Sequence, residues 1–139
     1  MQYQKLDLTA ARGMIAAAEA HAEVAGVKAT IAILDGGGDL VAMIRMDGAW
    51  PGGFDLALGK AMTARSFHAP SSAFVPLIQP GQPLFSVSSV GGGRYVILGG
   101  GLPVEVDGDV VGAIGVSGGS VEQDIAIAEA ALAAFNLSK

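Results

Sequence analysis

The sequence predicts a single α+β domain in which a mainly antiparallel sheet is flanked by amphipathic helices. Three observations predict it. Apolar residues recur at intervals of three and four near both ends of the chain, the spacing of one helix face. Between them lie short, partly β-branched runs separated by glycine-marked turns, the pattern of hairpins. The 139 residues suit one domain with a sizeable core, and no linker or internal repeat divides them.

The first helix is predicted over residues 8–25, where Leu8, Ala11, Ile15, Ala18, Ala22 and Ala25 share a face. Asp7 is placed to cap it and Gly26 to stop it. Residues 29–34 and 40–46 then read as two strands, joined by Asp35-Gly36-Gly37-Gly38-Asp39. Glycine reaches the positive φ that such a turn demands, so this is a hairpin. After the breaker Trp50-Pro51-Gly52-Gly53, the residues Phe54, Ala57, Leu58 and Ala61 mark a second helix running to about His68, ahead of Pro70.

Residues 70–93 hold four of the six prolines and predict a long surface excursion with one helical turn over 72–77. Three strands follow, over 95–98, 102–106 and 110–116, split by Gly99-Gly100-Gly101 and by the hairpin signal Asp107-Gly108. Ser120 and Gln123 are spaced as a capping box for a last helix whose inner face is Val121, Ile125, Ala128, Leu132 and Phe135. The expected order is α-β-β-α-β-β-β-α, with five strands in one sheet and residues 1–139 in one domain.

Composition narrows the function. Apolar residues make up 51% and charged residues 15%, an apolar surplus that points to contacts between subunits. The net charge is -5 and the eight cations are scattered singly, whereas binding to a phosphate backbone needs them clustered, so nucleic acid is excluded as a partner. The absence of cysteine excludes disulfides, thiolate zinc sites and a cysteine nucleophile. The N-terminus lacks the basic start and apolar run of a signal peptide, and each apolar run falls short of the ~18 residues that span a bilayer. A cytoplasmic protein without a membrane partner is expected.

Three segments carry a family likeness in combination: residues 35–47, from Asp35-Gly36-Gly37-Gly38 to Arg45 and Asp47; residues 60–64, Lys60-Ala61-Met62-Thr63-Ala64; and residues 99–118 leading into Glu122-Gln123-Asp124. Their order and spacing resemble the GlcG/HbpS family of haem-binding proteins, also found as the C-terminal domain of PduO-type cobalamin adenosyltransferases. The resemblance runs from Leu8 to about Phe135 and is weakest over residues 66–94. It implies a profilin-like α/β/α fold, self-association into dimers or larger rings, and binding of haem or a corrinoid in some members. A first-helix histidine is the axial ligand proposed in a PduO-type relative, which assigns His21 to haem iron by resemblance.

The residues themselves leave alternatives open. His21 and His68 are the only imidazoles, and a neutral ring nitrogen of either can ligate iron. His21 lies at the edge of the first helix's stripe among alanines; it is a haem ligand or a surface histidine. His68 beside Pro70 reads as a helix C-terminal residue. Arg45, Lys60 and Thr63 are the candidate binding residues of the family-like motifs, Arg45 and Lys60 as anchors for a carboxylate or a haem propionate. The other reading makes them surface ion pairs, Arg45 with Asp47 and Lys60 with Asp55. No nucleotide-binding glycine motif, HExxH or catalytic triad spacing occurs. The expected function is small-ligand binding by a homo-oligomer, with haem the leading cofactor. The alternative is a cofactor-free lyase or isomerase holding a small organic acid on Arg45 and Lys60.

Overall fold

A computed structural model describes residues 5–138. Helix α1, Leu8–Ala25, begins where the Asp7 carboxylate accepts from the Ala10 amide and ends at Gly26, whose φ of 72° no side chain hinders. Strands β1, Thr30–Asp35, and β2, Leu40–Arg45, form the first hairpin. In its turn Asp35 Oδ1 accepts from the amides of Gly37 and Asp39, both at 3.0 Å, and Gly38 takes a φ of 86°. Helix α2 is Gly53–Phe67, closed by His68 in the left-handed region, and α3 is Val121–Leu137. The predicted capping box is present in α3: Ser120 Oγ accepts from the Gln123 amide and Gln123 Oε1 from the Ser120 amide.

Strands β3, Gly101–Val106, and β4, Asp109–Ser117, complete one antiparallel sheet of order β2-β1-β4-β3. The sheet therefore has four strands, not five. Residues 95–98 form no strand because their backbone groups are taken elsewhere. The Val96 amide donates to Thr63 Oγ1 on α2 at 2.9 Å, and the Leu98 carbonyl accepts from Ser71 Oγ. Glycines 99–101 turn the chain into β3 without a preceding hairpin partner. The observed order is accordingly α-β-β-α-β-β-α, with the surface excursion holding two 3-10 segments, Ser71–Ile78 and Val87–Gly92, before β3.

Helices α1 and α3 pack together on one face of the sheet, over Ile31, Ile33, Val104, Ile114 and Val116, and Phe135 fills this layer. Helix α2 covers the other face, over Leu34 and Ala113. It comes unusually close, because Ala32, Gly115 and Gly101 pair side by side across β1, β4 and β3 and leave a shallow trough. A Cβ on Gly115 would lie 1.9 Å from the Ala57 carbonyl oxygen, and one on Gly101 would lie 2.2 Å from that of Lys60. The next residue in this row, on β2, is Met43, which ends the trough. Among the described residues no helix is long and apolar enough to cross a membrane.

Candidate functional site

The close approach of α2 fixes where its polar residues go. Lys60 and Thr63 are both interior, 3% and 0% exposed. Lys60 Nζ donates to the Val116 carbonyl on β4 at 2.8 Å and forms an ion pair with Asp124 Oδ2 on α3 at 3.1 Å. The other Asp124 oxygen accepts from the Gly119 amide at 2.8 Å. Gly100, at a φ of 124°, closes the pair from one side: a Cβ there would lie 3.1 Å from Asp124 Cβ and 3.2 Å from Lys60 Cδ. A buried charge is tolerated only when paired and hydrogen-bonded, and both members of this pair are. The pair ties α2, β4 and α3 together across the end of the sheet.

Thr63 completes the same frame. Its hydroxyl donates to the Gly59 carbonyl at 2.8 Å and accepts from Val96, so it fastens the excursion to α2. Ser71 does likewise for β3, accepting from the Gly101 amide at 2.8 Å. Asp124 and Ser71 were not singled out from the sequence. Asp124 lay within the family-like segment, but nothing local in a sequence connects two residues sixty-four apart.

Arg45 stands apart from Lys60. It ends β2, two strands from β4, and is exposed. The two cations are not brought together, so they form no clamp for a small carboxylate. Nor do the expected surface ion pairs form: Lys60–Asp124 is the one ion pair among the described residues.

His21 is exposed on α1, with no hydrogen-bond partner among the described residues. Beside it on the helix surface run Gly13, Ala17, Ala20 and Val24, at spacings of three and four. Gly13 and Ala20 are exposed, and Val24 is 92% exposed, so the strip is apolar, low and open to solvent. A planar macrocycle can approach such a surface closely enough for an imidazole nitrogen to reach its iron, and neutral imidazole is a suitable axial ligand. The residues around His21 therefore fit haem. His68, also exposed, sits at φ 54° as the C-cap of α2 and is followed at once by the proline-led turn into the excursion.

Four hollows of about 270 to 450 Å³ lie elsewhere, and His21 lines none of them. One, of about 300 Å³ between α1 and α3, is lined by Gly13 and Met14 and opens at the far end of the same strip. The His21 surface is an exposed helix face. A bound macrocycle there would have one side covered by α1 and the other in need of a second wall.

Comparison with known proteins places these features. The sequence model of the HbpS-like family, described as haem-degrading, matches residues 6–133. A 15.0 kDa protein encoded between dhaT and dhaS in Citrobacter freundii is 41% identical over 135 residues, covering 97% of this chain and 95% of that one. Among solved structures, protein ORFY of Klebsiella pneumoniae superposes with a TM-score of 0.94 at 39% identity, over 98% of this chain and 94% of the other. A complex of PduOC with haem superposes with a TM-score of 0.90 at 34% identity, over 94% of this chain and 95% of that one.

Proposed function

The chain belongs to the HbpS-like family, and from that premise we propose that it is a small-ligand binding protein that takes up haem on the outer face of α1, with His21 as axial ligand, and works as a homo-oligomer. The observation that carries the reading is the unpartnered, exposed His21 beside the strip Gly13, Ala17, Ala20 and Val24. A structural relative crystallised with haem supports it. Haem is largely apolar, and its burial is favourable at roughly 25 cal/mol per Å² of apolar surface removed from water. One helix face covers one side of it. Val24, 92% exposed beside His21, leaves the other side of the ring for a second subunit to cover.

Lys60 and Thr63 contribute by holding the frame, since both are buried and bonded within the chain. Titration of the full chain with haemin tests the reading. A shifted Soret band is expected, and His21→Ala should weaken binding by more than about tenfold, the loss that follows when even a partner of a metal ligand is removed. A spectrum that stays that of free haemin overturns haem binding. Unchanged binding and an unchanged spectrum in His21→Ala overturn the axial assignment alone.

A further inference from the structure

We propose that strand β2 is the docking edge for a second copy of this chain, pairing antiparallel with the partner's β2 so that two four-stranded sheets become one. The inference rests on the homo-oligomer reading above and names its surface.

The two edges of the sheet are built differently. Strand β3 is guarded. It carries Pro103, which has no amide to offer, the exposed Glu105, and a register shift between Val104 and Glu105. Its first amide, that of Gly101, is already bonded to Ser71. Strand β2 has a register shift of its own, where Val41 is passed over between the Ile33–Ala42 and Leu34–Leu40 pairs, but it lacks the other guards. Its residues Leu40, Val41, Ala42, Met43 and Ile44 are apolar, with neither proline nor lysine among them.

Its outward backbone groups follow from the ladder. The Met46 amide donates to the Ala29 carbonyl at 2.9 Å. Alternation along an antiparallel pair then turns the polar groups of Ile44 and Ala42 toward β1 and those of Met43 and Arg45 outward. Helix α2 makes no substantial contact with β2, so the side chain of Met43 lies on the face beyond the trough.

The occupant follows from charge. Asp39 immediately precedes β2 and Arg45 ends it; both are exposed and neither has an ion pair among the described residues. A two-fold axis through the middle of β2 sets each strand's Arg45 end beside the other's Asp39 end, which makes the edge complementary to itself. On a chain of net charge -5, two copies otherwise repel, so this local match favours one register.

Sedimentation of the full chain tests the proposal, with thermal melts confirming that each variant folds. Arg45→Glu and Asp39→Arg should each weaken self-association by about tenfold, since each makes two like-charge contacts per dimer. The double variant, with the charges exchanged, should recover wild-type association. Met43→Lys places a charge on the open edge and should abolish pairing. Wild-type sedimentation for all four variants overturns the proposal, as does a monomeric wild type. If Met43→Lys does not fold, the charge exchange decides alone. The haemin titration is a separate measurement, so haem binding can stand where this interface fails.

Discussion

The inner face of α2 and the outer face of α1 differ in almost every physical respect. On α2, Lys60 and Thr63 are buried and every polar atom of theirs is bonded. On α1, His21 is exposed and bonded to nothing described, among small residues that touch little. The family-like motif residues Lys60 and Thr63 belong to the first region, and the residue suited to bind a ligand belongs to the second. The short polar motif around Lys60 and Thr63 is thus a statement about how helices are seated on a sheet. The ligand face is marked instead by what it lacks, namely bulk and partners.

Breaking the first region should have the largest effect. Lys60→Ala leaves Asp124 buried without its cation, which costs about 3–5 kcal/mol, whereas replacing both by apolar residues of similar volume is often neutral or stabilising. Chemical denaturation of Lys60→Ala, Asp124→Leu and the Lys60→Met, Asp124→Leu double variant checks this. The double variant should be more stable than Lys60→Ala. Wild-type stability in all three would show that the pair does not hold the frame.

Next in size is the trough. Gly115→Ala drives a methyl into the Ala57 carbonyl, which lies 1.9 Å from the position a Cβ would take, so α2 must lift from the sheet. Overpacking of this kind costs typically 1–3 kcal/mol and occasionally more. A melting temperature unchanged from wild type would mean that α2 is not seated as closely as Gly115 and Gly101 indicate.

How much of this was legible follows from the range of each interaction. Asp7, Gly26, Ser120 and Gln123 act on neighbours within four or five residues, and the helices they bound lie where the sequence puts them. The hairpin turn at Asp35 is equally local, because one carboxylate oxygen accepts both turn amides. Residues 95–98 had the composition of a strand but lost their backbone partners to Thr63 and Ser71, both more than twenty residues away. Lys60 is expected from the sequence at a ligand or in a surface pair with Asp55, and the structure pairs it in the interior with Asp124: Asp55 is near in sequence, while Asp124 is near only after α3 folds back over the sheet. Propensity and spacing report what a segment prefers alone, and these two cases were decided by tertiary contacts.

The smallest effect is expected on α1, and it separates the two regions most cleanly. Gly13 lies inside the helix, and a Cβ built on it meets nothing within 4 Å. No close approach or positive φ requires a glycine there, and glycine in a helix interior is about 0.8–1 kcal/mol less favourable than alanine. Gly13→Ala should therefore stabilise the ligand-free chain by up to that amount, raising its melting temperature by a few degrees. On the frame side of the molecule the same exchange, at Gly115, is destabilising. Gly13→Leu should likewise leave the fold intact, since a Cβ there meets nothing within 4 Å and the hollow of about 300 Å³ beside it has room for the rest, but it raises the floor of the strip beside His21. Haemin affinity should then fall in Gly13→Leu and hold in Gly13→Ala. A fall in both stability and affinity in Gly13→Ala would show that this position packs against something within the chain, and that the outer face of α1 is not the open surface on which haem is placed.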